Sequence, residues 1–437
     1  MKLTARMLPL TAALLLAGAA QAQDATRLKN EVTGQVDGMY PKLEAVYKDL
    51  HAHPEIAFQE VRTAGKLAQE MRAMGFTVTE KVGKTGVVAI YKNGAGPTVL
   101  VRTELDGLPM EEKTGLDYAS KAHATLNGKD TFVTHSCGHD VHMTAWLGAA
   151  RTLLALKSQW KGTLMFIAQP AEEVGGGARA MLADGLFTRF GKPDYAFALH
   201  SWPIPYGSVG YNSGAVSSSS DSVEIVFKGR GGHGSAPDQA IDPITIASRF
   251  IVDVQTLISR EKDPKAFGVV TMGAINGGTV GNIIPDNVTV LGTIRAYDNT
   301  VRAKLVDGIG RVAKASAMVA NAPEPDVKLG LVGEAIINDD ALVLRTEKVL
   351  KGAFGDKAFR MPAMTASEDF SAFGLEGVPS MFFFTGIYEP AQVEASKVPG
   401  GKPLAFNHSP FYAPVPEPSI KTAAEAMSLA VLNVLAR

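Results

Sequence analysis

Only one of the 437 residues is cysteine, Cys137, so the chain cannot staple itself with an internal disulfide. Net charge is equally scarce. The 43 Lys and Arg almost balance the 44 Asp and Glu, leaving −1, which excludes the basic footprint of a nucleic-acid binder. Glycines 175–177 are not followed by Lys-Ser/Thr, so they are no phosphate loop. No Gly-X-Ser-X-Gly elbow of a serine hydrolase stands out. What is abundant is ordinary: 46% hydrophobic and 20% charged residues, enough for a sizeable core, in a length that suits about two domains.

The first 22 residues read as a secretion leader. Lys2 and Arg6 give a positive start, Leu8 to Ala20 is apolar, and Ala20-Gln21-Ala22 has the small residues that signal peptidase accepts. The apolar run is short for a membrane span, and no cysteine follows it to carry a lipid. The expectation is cleavage after Ala22 and an exported, periplasmic or secreted protein without a membrane anchor. In an oxidising compartment a lone thiol is either buried and inert or protected by a metal.

Apolar residues Val36, Tyr40, Leu43, Val46, Tyr47 and Leu50 recur at helical spacing, and the reading for about 25–75 is helix. Strand signals follow at 76–78, 87–91 and 98–102. Helices then alternate with apolar strands at 164–168 and 195–199, as in a largely parallel sheet covered by helices. The pattern changes at the four serines 217–220. From there to 331 the order is β-α-β-β-α-β, which predicts a ferredoxin-like α+β unit. The α/β pattern then resumes and includes the strand Pro379 to Phe384. The predicted organisation is an α/β domain over 23–216 and 332–437, interrupted by a smaller α+β domain over 217–331.

Four predicted strands end in polar clusters: Glu104-Leu-Asp106, Gln169-Pro-Ala-Glu172-Glu173, His200, and the loop with Asn407-His408-Ser409. Ligands of parallel sheets sit beyond the carboxyl ends of the strands, so the four clusters can meet. Cys137 and His139 add a thiolate and an imidazole just before a helix. With Glu173, His200 and His408 they form a donor set suited to Zn, Mn, Co or Ni rather than Ca or Mg. Five or six ligands exceed one tetrahedral ion, so two divalent ions are expected, with Cys137 able to bridge them. On an extended segment Glu172 and Glu173 would point apart, one to the metal and one to the attacking water; Glu173 is assigned to metal and Glu172 to general base.

Taken with His51-Ala-His-Pro-Glu55, Arg102 to Pro109, Cys137-Gly-His-Asp140, Gly231-Gly-His233, Gly277 to Pro285 and Ser367-Glu-Asp-Phe370, these runs resemble the M20 metallopeptidase family, in its amidohydrolase branch. That resemblance implies a metallo-exopeptidase-like catalytic domain with an inserted dimerisation or lid domain, hence a homodimer or higher homo-oligomer. It implies ligation by Cys137, His139, Glu173, His200 and His408, with Glu172 as the base. It implies that Asp106 stands behind the ligands, orienting a His or the base. His233 would donate to the oxyanion, and Asn282 and Arg295 would bind a substrate carboxylate. The chain departs from the family pattern at Thr103 and Glu104, usually Ala and Asp, and at Gly234 and Asp238 after His233.

The expected activity is hydrolysis of the amide in N-acyl amino acids, aromatic acyl groups among them, by a metal-activated water. The rivals are a carboxypeptidase or dipeptidase on short peptides, a catalytically silent periplasmic binding protein, and a structural metal protein.

Overall fold

The computed structural model describes residues 10–436, with side chains from Thr26 onward. Lys2 and Arg6 of the expected leader therefore lie outside the described residues. Among the described residues no helix is long and apolar enough to cross a membrane. The chain forms two compact units.

The larger unit runs to Ser213 and takes in Asn338–Met361 and the chain from Glu376 onward. It opens with helix α1 (Leu10–Ala52), whose Val36, Tyr40, Leu43, Tyr47 and Leu50 are buried as their spacing predicts. The helix expected over 25–75 is broken. Pro54 lacks an N–H and disfavours helix in the residue before it. Ile56 instead bridges Gly107, and Phe58 takes φ 61° before α2 (Val61–Ala73) resumes. An eight-stranded sheet follows: β1 (Thr77–Val82), β2 (Gly86–Lys92), β3 (Thr98–Glu104), β4 (Thr163–Gln169), β5 (Tyr195–Pro205), β6 (Val209–Tyr211), β7 (Ala358–Arg360) and β8 (Ser380–Tyr388). Their spatial order is β1-β2-β4-β3-β5-β8-β6-β7. The run β4-β3-β5-β8 is parallel throughout, so its carboxyl ends share one edge. β1 and β2 extend the sheet in antiparallel pairing. Central strands β3, β4 and β8 are buried almost end to end, which explains their continuous apolar runs. Helices α3 (His139–Ala155) and α5 (Pro416–Leu435) join α1 over the sheet, with α4 (Asp340–Phe354) between them in sequence.

The smaller unit comprises Gly214–Ile337 and Pro362–Leu375. Its four antiparallel strands lie in the order Gly268–Asn276, Asn287–Ala296, Ser220–Lys228, Asp326–Gly333. Helices Pro243–Asp253 and Asn299–Val319 complete the β-α-β-β-α-β order. Both helices start on aspartates that accept backbone N–H groups: Asp242 from Ile244 at 2.9 Å, and Asp298 from Thr300 at 2.8 Å. Phe227, Phe250, Leu257, Ile294 and Leu305 form its core. This unit is wider than the predicted 217–331 and includes a later segment carrying Ser367 to Phe370. The backbone explains why: Met364 N–H donates to Val216 O and Ser218 N–H to Ala366 O, each at 2.9 Å.

Candidate metal centre

The shared edge of β4-β3-β5-β8 gathers the larger unit's polar clusters. Gly138 sits between Cys137 and His139 with φ 90°, a left-handed turn that glycine adopts without strain. A Cβ there would overlap Ser201 Oγ and lie 2.9 Å from Tyr412 OH. The turn ends at His139, the first residue of α3, which is fully buried. Its Nδ1 donates to the backbone oxygen of Asp106 at 2.7 Å, so Nε2 is left as a lone-pair donor. His200 on β5 does the same through Ser201 O at 2.8 Å, and its Nε2 lies 3.4 Å from Cys137 Sγ.

The two glutamates after β4 do not lie on an extended segment, contrary to the expectation that they point apart. Ala171 takes φ 51° and they occupy a turn. Glu60, buried beside this turn, accepts the Ala171 N–H at 2.8 Å. Both carboxylates then face His139 Nε2, Glu172 at 3.7 Å and Glu173 at 3.9 Å. They differ in their other neighbours. Glu173 also meets His408 Nε2 at 3.3 Å and groups with Cys137, all three donor atoms within 4.8 Å of one another. Asp106 holds the turn from behind: its carboxylate accepts the N–H of Glu172 at 3.1 Å and of Glu173 at 3.0 Å. His408 comes from the loop after β8, with φ 68° and its N–H on Ser136 O at 2.8 Å.

This donor set fits divalent metal. His139 Nε2 and Glu173 Oε1 are buried without a hydrogen-bond partner, an expensive condition that a cation relieves. Cys137, His139 and His200 form one cluster within 4.8 Å, and Cys137, Glu173 and His408 another, so the thiol belongs to both. Burial holds His139 well below the usual imidazole range and His200 down to about 3, which keeps both neutral and able to ligate. Burial, helped by the Glu173 and Glu172 carboxylates, pushes the Cys137 thiol well above its usual range. Its thiolate therefore needs a cation beside it.

The five proposed ligands, Glu172 and Asp106 thus come together in the larger unit. His233, Asn282 and Arg295 belong to the smaller one. His233 is exposed in a two-residue strand paired with Ile283–Ile284. Its Nδ1 accepts Ser235 N–H at 3.1 Å, which leaves Nε2 as the donor of the neutral ring. Asn282 is its neighbour, accepting Gly234 N–H at 2.8 Å through its backbone oxygen. Arg295 is half-buried and reaches Ser367 Oγ at 3.3 Å.

Sequence reasoning singled out Glu104 and Asn407 but missed His142, Ser201 and Tyr412, with which they form a buried chain of polar groups behind the ligands. Glu104 pairs with Arg102 and accepts from His142 Nδ1 at 3.0 Å. His142 Nε2 accepts the Ser201 N–H at 2.7 Å; Ser201 Oγ meets Tyr412 OH at 2.8 Å, and Asn407 Nδ2 donates to Cys137 O at 3.1 Å. Both nitrogens of His142 are occupied, so it supports the site and is no ligand. Its position three residues after His139 on one helix was the available signal. A second latch, His51 between Asp140 Oδ2 (2.7 Å) and Glu112 Oε1 (3.1 Å), ties α1 to the first turn of α3.

Residues 100–430 match the model of peptidase family M20/M25/M40. Over 336 residues the chain is 40% identical to a hippurate hydrolase of Campylobacter jejuni, covering 76% of this chain and 85% of that one. It is 34% identical to an N-acetyl-L-cysteine deacetylase of Bacillus subtilis, covering 79% and 80%. The crystal structure of the Bacillus subtilis YXEP protein, a dinuclear metal binding peptidase, superposes with a TM-score of 0.73 at 27% identity, covering 91% of this chain and all of that one.

Proposed function

The chain belongs to peptidase family M20/M25/M40, and from that premise we propose that it hydrolyses N-acyl amino acids at two divalent metals held by Cys137, His139, Glu173, His200 and His408. That it is a hydrolase of amide bonds follows from its membership. The observation that carries the rest is the pair of three-residue clusters sharing Cys137, with partnerless Nε2 and Oε1 atoms aimed into them. Bound there, the metals would polarise the scissile carbonyl and lower the pKa of the attacking water.

The chain's own residues supply the proton transfers. Glu173 is engaged by His408 and Cys137, which makes it the ligand. Glu172 is buried with its carboxylate 3.7 Å from His139 Nε2, and Asp106 fixes its backbone by accepting its N–H. It takes the proton of the attacking water and returns it to the leaving amine. His139 and His200 stay neutral because burial forbids their charge, so they do not compete for that proton. His233, protonated on Nε2, is proposed to donate to the oxyanion, and Asn282 and Arg295 to bind the substrate carboxylate. Export with removal of the leader, and homodimer formation, belong to the same proposal.

Glu172→Gln tests the assignment. It should keep the metal content of wild type and lose about 10²- to 10⁴-fold in kcat on any N-acyl amino acid that wild type cleaves. Wild-type turnover by the metal-loaded variant would remove Glu172 from the mechanism.

A further inference from the structure

Two metal ligands are each followed or preceded, two residues away, by a large aromatic side chain, and the two rings meet. Trp202 lies on the same face of β5 as His200, since side chains two apart on a strand share a face. Phe406 stands two residues before His408. Their centroids are 4.9 Å apart and their planes cross at 83°. Trp202 is partly exposed, and Phe406 is 49% exposed, a large solvent-facing surface for a phenyl ring. The corner is braced from behind: Trp202 packs on the buried Phe384 at 5.3 Å, and Phe384 on Phe382 at 5.5 Å. His200 is itself 6.5 Å from Trp202, centroid to centroid.

We propose that Trp202 and Phe406 form the acyl subsite, selecting a planar aromatic acyl group over a short aliphatic one. This rests on the N-acyl-amino-acid reading above and names the acyl class that reading leaves open. Two walls near a right angle suit a flat ring: it stacks on one wall and meets the other edge to face, both favoured aromatic geometries. An acetyl methyl reaches neither wall with comparable area. A saturated ring of the same size fills the volume but lacks the flat face. The corner adjoins two proposed ligands, His200 at 6.5 Å from Trp202 and His408 two residues after Phe406, which puts it next to the site where the acyl side of the amide would lie.

The test uses the full-length, metal-loaded protein and kcat/KM for four compounds: N-benzoylglycine, N-acetylglycine, N-cyclohexanecarbonylglycine and N-acetylphenylalanine. Wild type should prefer benzoylglycine to acetylglycine and to the cyclohexane analogue by on the order of tenfold or more. Phe406→Ala should shrink the benzoyl-to-acetyl ratio by on the order of tenfold with metal content unchanged, and Phe406→Tyr should restore it. Phe406 is exposed, so its truncation leaves the core intact. A ratio unmoved by Phe406→Ala, equal rates on the benzoyl and cyclohexane compounds, or a ring preference seen only in acetylphenylalanine would overturn the acyl subsite while leaving N-acyl hydrolysis standing. No turnover of any of the four would overturn the underlying reading and the subsite with it.

Discussion

Replacing Gly138 by alanine adds one methyl group between two proposed ligands, and the structure sets what it costs. The backbone there has φ 90°, where an L side chain is strained by about 1–2 kcal/mol. The new Cβ would overlap Ser201 Oγ and press on Tyr412 OH, both buried and hydrogen-bonded to each other. Overpacking of that kind adds about 1–3 kcal/mol. The sum is roughly 2–5 kcal/mol, large against the 5–15 kcal/mol that holds a typical domain. Two controls separate the terms. Gly75, at φ 86° with open space around it where α2 ends, should lose only the backbone part on mutation to alanine. Gly65 in α2, also in open space, should gain about 0.5–1 kcal/mol. Urea unfolding of the metal-free proteins reads all three, and titration with Zn²⁺ or Mn²⁺ then reads the site. Gly138→Ala should unfold earlier than Gly75→Ala and bind metal more weakly. Equal midpoints and unchanged metal affinity would refute the claim that this glycine sets the Cys137–His139 spacing.

Two further outcomes follow from the charges. Burial opposes a proton on His51, but Asp140 and Glu112 outweigh it and raise its pKa to about 10. Against an unfolded value near 6.5, the stability this gives is fully present below about pH 6.5 and is lost as pH rises to about 10. The difference in unfolding free energy between metal-free wild type and His51→Asn should therefore narrow across that window; a constant difference would rule out a charged His51. Metal loading should also release a proton, because burial keeps the Cys137 thiol protonated near neutral pH until a cation arrives. Calorimetric titration in buffers of different ionisation enthalpy measures it, and Cys137→Ala should release about one proton fewer. Equal release by both proteins would mean that Cys137 is not a ligand.

The sequence predicts the longer strands of both units because buried parallel strands and alternating half-buried strands carry their own signatures, but it misses the three-residue strands β6 and β7, which are too short to show one. Leu164 to Ala168 and Pro379 to Phe384 could hardly be anything else. The cluster of Cys137, His139, Glu173, His200 and His408 was legible because Cys137 and His139 stand at a helix start, Glu173 follows a strand and His200 ends an apolar run, although β5 in fact continues to Pro205 and His408 comes from a loop. Three features were not. Pro54 signals a break between α1 and α2, but the course of the chain through it depends on Ile56 pairing with Gly107, a contact remote in sequence. The turn that swings Glu172 and Glu173 to the same side depends on Glu60 and Asp106 holding backbone N–H groups. The support by Glu104 and His142 depends on a departure, Glu for Asp, whose meaning appears only when Arg102 and Ser201 are seen beside it.

The position of β8 bears on how the molecule is made. Among the described residues it is the last strand, yet it lies inside the sheet, paired with β5 on one side and β6 on the other. All four strands of the smaller unit's main sheet, by contrast, precede residue 338. A chain growing from the ribosome can finish that smaller domain while the larger one still waits, with β5 presenting an unpaired, apolar edge. Only when Tyr388 has emerged can the gap close, and only after that does His408 arrive. Synthesis thus delivers the scaffold's central seam shortly before the last of the proposed ligands.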